Sequence, residues 1–150
     1  PCIKQLTNLF GRYNKSIIAV EEVPKEKVSS YGIIKGREIE ELVYLMEDII
    51  EKPSLEEAPS NIGTVGRYVL TPEIFDCIRE TKPGTGNEIQ LTDSIKMLME
   101  KEEVYAYAFR GKRYDAGDKI GYIKAIIDFA LEQEYLKEEI GSYLQEKGYK

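Results

Sequence analysis

Between Cys2 and Tyr13 apolar residues recur three or four places apart, at Ile3, Leu6, Leu9 and Phe10, which predicts a short helix with one buried stripe. Ser16–Val20 follows as an apolar run too short for a helix and reads as a strand. Pro24–Ser30 is polar and predicts a helical turn, and Tyr31–Ile34 a second short strand. Arg37–Leu45 gives no clear period. Tyr44–Ile50 mixes strand formers with carboxylates and predicts a hairpin returning toward Glu51. After a loop over Pro53–Asn61, Ile62–Leu70 gives the clearest strand alternation.

Thr71-Pro72-Glu73 reads as a helix start, with Thr71 as its cap and Pro72 in the first helical position. Ile74, Cys77 and Ile78 mark that helix's inner face. Lys82–Gln90, which holds Pro83, Gly84 and Gly86, predicts a loop before a helix over Leu91–Lys101. Val104–Phe109 alternates as a strand, and Arg110–Asp118 is a charged turn region. From Asp118 onward Ile120, Ile123, Ile126, Ile127, Ala130 and Leu131 form the stripe of an amphipathic helix. A last helix is anchored by Ile140, Tyr143 and Leu144. Strands alternating with helices imply an α/β fold, a mixed sheet with flanking helices, and no linker or repeat divides 1–150 into more than one domain. The helices at about 118–147 are candidates for subunit contact.

Composition narrows the chemistry. A 42% hydrophobic share with 32% charge is that of a folded chain able to bury a core. The formal net charge of −6 argues against nonspecific nucleic-acid binding, which needs clustered Lys and Arg. No apolar stretch reaches bilayer length and no signal pattern opens the chain, so neither a membrane nor secretion is expected. Cys2 and Cys77 lack metal-ligand spacing and fall in apolar helical patterns, the expectation for two buried thiols in a reducing cytoplasm. The absence of histidine removes Ser-His-Asp and Cys-His catalysis and any imidazole-bound zinc. Carboxylates, lysines, backbone amides or a hard metal ion remain.

Five places could carry that chemistry. Glu51-Lys52-Pro53 closes a strand-like run: the carboxylate can accept two hydroxyl protons, the ammonium can neutralise phosphate, and Pro53 fixes the chain's exit. The same three residues also suit a solvated strand end. Gly32, after Tyr31, and Gly66, inside a strand, each suit close approach of a ligand; the first more often simply marks a turn, and a bulge serves the second equally well. Pro83–Glu88 lacks the Gly-Lys-Ser/Thr ending of a phosphate loop, and Glu88 reads best as a favourable charge near a helix start. In Arg110–Asp118, Asp115 could serve as one Mg²⁺ ligand with Lys112 or Arg113 nearby for phosphate charge, Asp118 suits a helix cap, and the bland reading is a charged loop.

Taken in order, the segments Tyr31-Gly32, Glu51-Lys52-Pro53, Ala58-Pro59-Ser60-Asn61, Val65-Gly66-Arg67-Tyr68, Gly86-Asn87-Glu88-Ile89-Gln90-Leu91-Thr92-Asp93, Gly111-Lys112 through Asp115-Ala116-Gly117, and Gly121-Tyr122 resemble the second half of bacterial UTP–glucose-1-phosphate uridylyltransferases. The resemblance implies the C-terminal portion of a Rossmann-like sugar nucleotidyltransferase fold, working with Mg²⁺ on glucose 1-phosphate and UTP to give UDP-glucose and pyrophosphate. It implies that Tyr31 and Gly32 line the sugar site and that Glu51 holds sugar hydroxyls. Lys52 becomes the candidate catalytic residue at the sugar phosphate. Gly66 would let its strand pass close to the ligand, Glu88 would contact the sugar, and Asp115 would hold metal. The family's Gly-rich nucleotide loop and second metal-binding aspartate have no counterpart here, so the expectation is a cytoplasmic, homo-oligomeric enzyme's C-terminal half that has no turnover alone. A thymidylyltransferase half is the near rival, and a noncatalytic binding or oligomerisation module the distant one.

Overall fold

A computed structural model describes residues 1–84 and 87–148. Its contacts divide the chain into two compact units, Pro1–Gly111 and Lys112–Lys150. The first runs α1 (Cys2–Tyr13), β1 (Ser16–Glu22), a 3₁₀ turn (Lys25–Ser30), β2 (Gly32–Glu40), β3 (Val43–Glu51), β4 (Ile62–Val69), α2 (Ile74–Glu80), α3 (Leu91–Lys101) and β5 (Val104–Ala108). The second holds α4 (Lys119–Leu131) and α5 (Glu134–Glu146). No helix among the described residues is long and apolar enough to cross a membrane.

The five strands close into a barrel in the order β1-β4-β2-β3-β5. Only β1 and β5 run parallel; every other pair is antiparallel. The sheet is therefore mixed, as the alternation of elements implied, and its closure between β2 and β4 rests on one registered pair, Ile33 with Gly63. Two apolar layers cover its faces. Ile18, Val20, Ile34, Met46 and Ala106 pack with Ile74, Cys77, Ile95 and Leu98 of α2 and α3. Ile17, Ala19, Val43 and Tyr105 pack with Leu6 and Leu9 of α1. Each fully buried Leu or Ile contributes about 1.5–3 kcal/mol over its exposed state, so β1, buried on both faces, is the anchor of this unit.

Several local expectations change. The hairpin strands β2 and β3 are nine residues each, longer than the segments read from sequence. They meet in a turn at Glu41-Leu42 with Leu42 in the left-handed region (φ 65). The Leu42 amide is held by the Glu38 carboxylate at 3.0 Å. Thr71 does not cap α2, which starts at Ile74 without a side-chain cap; its hydroxyl instead donates to Glu102 Oε1 at 2.8 Å. Cys77 is buried and free, but Cys2 is only partly buried. Asp118 does cap α4, accepting the Gly121 amide at 2.8 Å. The stripe Ile120, Ile123, Ile126 and Ile127 on that helix stays exposed, and α4 has no fully buried residue.

Candidate functional site

The register of the β2–β3 pair places Gly32 opposite Glu51. Gly32 is buried, and a Cβ added there would lie 3.0 Å from Thr92 Cγ2, 3.1 Å from Glu51 Oε2 and 3.2 Å from Thr64 Oγ1. The room left by the missing side chain is thus filled by a carboxylate and two threonine side chains converging from β3, β4 and α3. Within this chain the missing side chain at Gly32 makes room for Glu51 and the two threonines.

Lys52 follows with φ 45, a left-handed conformation at a residue that is not glycine. Proline disfavours the helical region in the residue before it, and the left-handed region costs an ordinary residue about 1–2 kcal/mol. The surroundings hold it there: the Lys52 amide donates to the Tyr31 carbonyl at 2.9 Å, and Pro53 is buried. The backbone turn sends the Lys52 side chain outward, 62% exposed, with Nζ 4.0 Å from Glu51 Oε1. Strain of this kind, held by neighbours, is characteristic of functional positions.

Helix α3 forms the facing wall. Leu91, Ile95 and Leu98 turn inward. Gln90, Asp93 and Lys96, each three residues apart, then share the opposite face. They join Glu51, Lys52 and Glu88 around a cavity of about 420 Å³. That volume lies within the range of small-molecule sites, but a shallower depression on α5 reaches about 500 Å³ and offers only Tyr, Glu and Ser side chains. Chemistry rather than volume selects the first. It holds three carboxylates to accept hydroxyl protons and, in Lys52, an ammonium group to meet an anion. Beside it, Thr92 Oγ1 is, among the described residues, the buried side-chain polar atom that lacks a hydrogen-bond partner. Behind it, Lys96 Nζ reaches Asp48 Oδ1 at 2.7 Å. Burial would raise the Asp48 carboxyl, but the hydrogen bonds from Lys96 and the Ile49 amide prevail and hold it below the usual carboxylate range.

Four of the site residues expected from sequence are thereby brought together: Gly32, Glu51, Lys52 and Glu88. Glu88 lies ahead of α3 rather than in its first turn, where Asp93 is the acidic residue, so its part as a helix-start charge is not realised. Of the Pro83–Glu88 segment, Thr85 and Gly86 lie outside the described residues. Tyr31 contributes its carbonyl to Lys52, while its ring lies beside Gly63 and the cluster of Val23, Val28 and Ile33. Gly66 sits in a bulge of β4: Ala19 faces the three residues Val65, Gly66 and Arg67, between the pairs Ile18–Tyr68 and Val20–Thr64. Its φ is 72, and a Cβ there would meet nothing within 4 Å, so the bulge, not crowding within this chain, requires glycine.

Asp115 belongs to the second unit. Its Oδ1 accepts the Gly117 amide at 3.0 Å, and its carbonyl oxygen would lie 2.2 Å from a Cβ on Gly121, so the loop rests on the first turn of α4. Lys112 is bound to Asp128 together with the Tyr114 hydroxyl, and is therefore committed to a structural contact rather than held ready for phosphate. Among the described residues there is no group of three or more His, Cys, Asp or Glu able to cage a metal. One exposed carboxylate is nevertheless what Mg²⁺ needs from protein when phosphate oxygens and water supply the rest. Thr64, Thr92, Asp93, Lys96 and Asp48 were not singled out from sequence. Thr92 and Asp93 lay inside a quoted motif, and the three-residue spacing of Gln90, Asp93 and Lys96 was a readable signal of a shared face.

The family model for nucleotidyl transferases matches residues 3–133. A UTP–glucose-1-phosphate uridylyltransferase of Staphylococcus haemolyticus is 45% identical over 149 residues, covering 99% of this chain and 52% of that protein. Its counterpart from Streptococcus pyogenes is 46% identical over 150 residues, with 99% and 49% covered. The chain thus spans about half the length of the curated relatives it matches. Among solved structures, a UDP-glucose pyrophosphorylase complexed with UDP-glucose superposes with a TM-score of 0.82 at 48% identity, covering 88% of this chain and 50% of that one. A UTP-bound enzyme of the same type from Acinetobacter baumannii gives 0.81 at 36%, covering 95% and 49%. A glucose-1-phosphate thymidylyltransferase from Bacillus anthracis shares the fold at 0.63, with 20% identity and 82% and 47% covered.

Proposed function

Because this chain belongs to the nucleotidyl transferase family, we propose that it supplies the sugar-phosphate side of an enzyme that transfers a uridylyl group from UTP to glucose 1-phosphate, giving UDP-glucose and pyrophosphate. The observation that carries the reading is the Gly32–Glu51–Lys52 arrangement, a fixed carboxylate and a largely exposed ammonium beside it at one cavity. It is supported by relatives whose names carry that activity.

In that reaction an oxygen of the sugar phosphate attacks the α-phosphorus of UTP in line, and the bond to pyrophosphate breaks. Such a step needs positioning and charge neutralisation more than an acid or a base. Glu51 accepts sugar hydroxyls and fixes the ring. Lys52, held outward by its strained backbone, meets the phosphate and neutralises it as the attacking oxygen approaches the nucleotide. Glu88 stands ready for a further sugar contact, and Gly66 gives β4 a bare surface for a passing ligand. Asp115 would be one protein ligand to Mg²⁺, which when bound neutralises phosphate charge. The reading carries with it a cytoplasmic setting and a homo-oligomer, the latter supported by the exposed Ile120, Ile123, Ile126 and Phe129 on α4.

Isothermal titration with glucose 1-phosphate and UDP-glucose tests it. The chain is expected to bind both, and Glu51→Gln or Lys52→Met to weaken each by about tenfold, the worth of one charge-assisted contact. Equal binding by the variants, or preference for inorganic phosphate over glucose 1-phosphate, would remove the reading.

A further inference from the structure

The end of β3 that carries Glu51 and Lys52 is held by the sheet on one side only. β5 pairs with β3 from Val43 to Leu45 and no farther, whereas β2 continues to Glu51. From Met46 onward the other side of β3 depends on α3, which shares one core with Met46 and Ile49 through Ile95 and Leu98 and makes two further contacts at this end of the hairpin. Thr92 places its methyl over Gly32, and Lys96 places its ammonium on Asp48. Asp48 Oδ1 accepts both Lys96 Nζ at 2.7 Å and the Ile49 amide at 2.8 Å, so a pull on the side chain reaches the main chain one residue away. Lys35, directly across from Asp48, is paired with Glu47 at 3.5 Å, which leaves Lys96 as the ammonium hydrogen-bonded to Asp48.

We propose that the Asp48–Lys96 ion pair is a latch that clasps the free side of β3 to α3 and sets the width of the cavity, making Lys96 a positioning residue for Glu51 and Lys52 and not a ligand contact. The proposal rests on the reading of this cavity as the sugar-phosphate site. Both side chains are partly exposed, so the pair contributes little to global stability; its effect is local, on a strand end that the sheet leaves half-held.

The test compares Lys96→Met, Asp48→Asn, the double variant and Lys96→Arg in the 150-residue chain, with two readouts. Without ligand, hydrogen exchange of the Lys52 amide, which is bonded to Tyr31, should quicken about fivefold in each single variant and no further in the double, and Lys96→Arg should restore it. With glucose 1-phosphate, the two single variants should lose affinity by the same factor of about three to five. A Lys96→Met loss that far exceeds that of Asp48→Asn, or an Asp48→Asn variant that binds more tightly, would mean that Lys96 touches the ligand and would overturn the latch. Unchanged Lys52 exchange in both single variants would overturn it too. Failure of the site reading is separately visible, as undiminished binding in Glu51→Gln and Lys52→Met, while the exchange readout still decides the latch.

Discussion

The Glu51 carboxylate occupies the space that any side chain on Gly32 would need, with Oε2 3.1 Å from where that Cβ would stand. Because Thr92 and Thr64 crowd the same point at 3.0 and 3.2 Å, a Gly32→Ala chain cannot relax by moving one flexible neighbour. The β-carbon must displace Glu51 or push α3 away. Overpacking of this kind costs about 1–3 kcal/mol. The expected outcome is a fall of about 1–2 kcal/mol in urea-unfolding stability together with loss of measurable glucose 1-phosphate binding. Retained affinity would mean that the Glu51 position seen here is not the one the ligand uses.

Gly66 makes the contrasting prediction. Its Cβ direction is open, so Gly66→Ala should meet no clash, yet its φ of 72 belongs to the left-handed region. The cost is therefore one of backbone conformation, about 1 kcal/mol, and thermal unfolding is the measurement. A ligand that passes close to β4 adds a second signature: Gly66→Ala would then weaken UDP-glucose binding well beyond its small effect on stability. An unaffected affinity would confine this glycine to the bulge.

How far the sequence foretold this arrangement depends on which physical signal each element carries. Helix α1 was legible because one face is buried and the other wet, and strand β4 because its apolar residues divide between the two core layers, Ile62 and Tyr68 on one and Val65 and Val69 on the other. Strand β1 was legible as a bare apolar run because it is covered on both faces. The β2–β3 hairpin was read too short. Its turn uses Glu41-Leu42 in place of an Asn-Gly or Asp-Gly pair, and a Leu at φ 65 announces no turn. Glu51 and Lys52 could be named as candidates, but the side chains around them could not: Thr64 arrives from β4 and Thr92 and Lys96 from α3, and only the closed register brings them to Gly32 and Asp48. Thr71 misled for a related reason. A threonine ahead of proline looks like a helix cap, and its long-range partner is invisible locally.

Tyr105 sets an alkaline limit. It is nearly buried, stacks on Tyr13 with ring centroids 4.5 Å apart, and donates to Glu103 at 2.8 Å. Burial first, and then the Glu103 carboxylate, push its phenol up to about 12. In the unfolded chain it ionises near about 10. A raised folded pKa means that its contribution to stability is full below about 10 and is lost as pH rises toward about 12. Urea midpoints measured at pH 8 and pH 11.5 should therefore fall steeply in the parent chain and less steeply in Tyr105→Phe. The two chains losing stability in parallel would show that other groups govern the alkaline limb.

Glu102 ties three elements at the end of the barrel away from any proposed chemistry. It follows α3, and its Oε1 accepts the Ser16 hydroxyl from the start of β1 at 2.9 Å and the Thr71 hydroxyl beyond β4 at 2.8 Å. Ser16 Oγ in turn accepts the Thr71 amide at 3.0 Å, and Lys15 lies 3.7 Å from Glu102 Oε2. Ser16 and Thr71 are both buried and their hydroxyl oxygens lie 3.3 Å apart, so removing the carboxylate lets one donate to the other and leaves one hydroxyl without an acceptor in a place water does not reach. A buried polar group deprived of its partner costs about 1–3 kcal/mol, and Glu102→Ala should accordingly lower unfolding stability by about 2 kcal/mol. Glu102→Gln keeps an acceptor oxygen of the same reach and should cost less than half as much. Because Glu51 and Lys52 lie outside this network, glucose 1-phosphate affinity should be unchanged in the folded Glu102→Gln chain. If Glu102→Ala unfolded within about 0.5 kcal/mol of the parent, the scatter of ordinary surface substitutions, the hydroxyls would have found other acceptors and the network would hold nothing together.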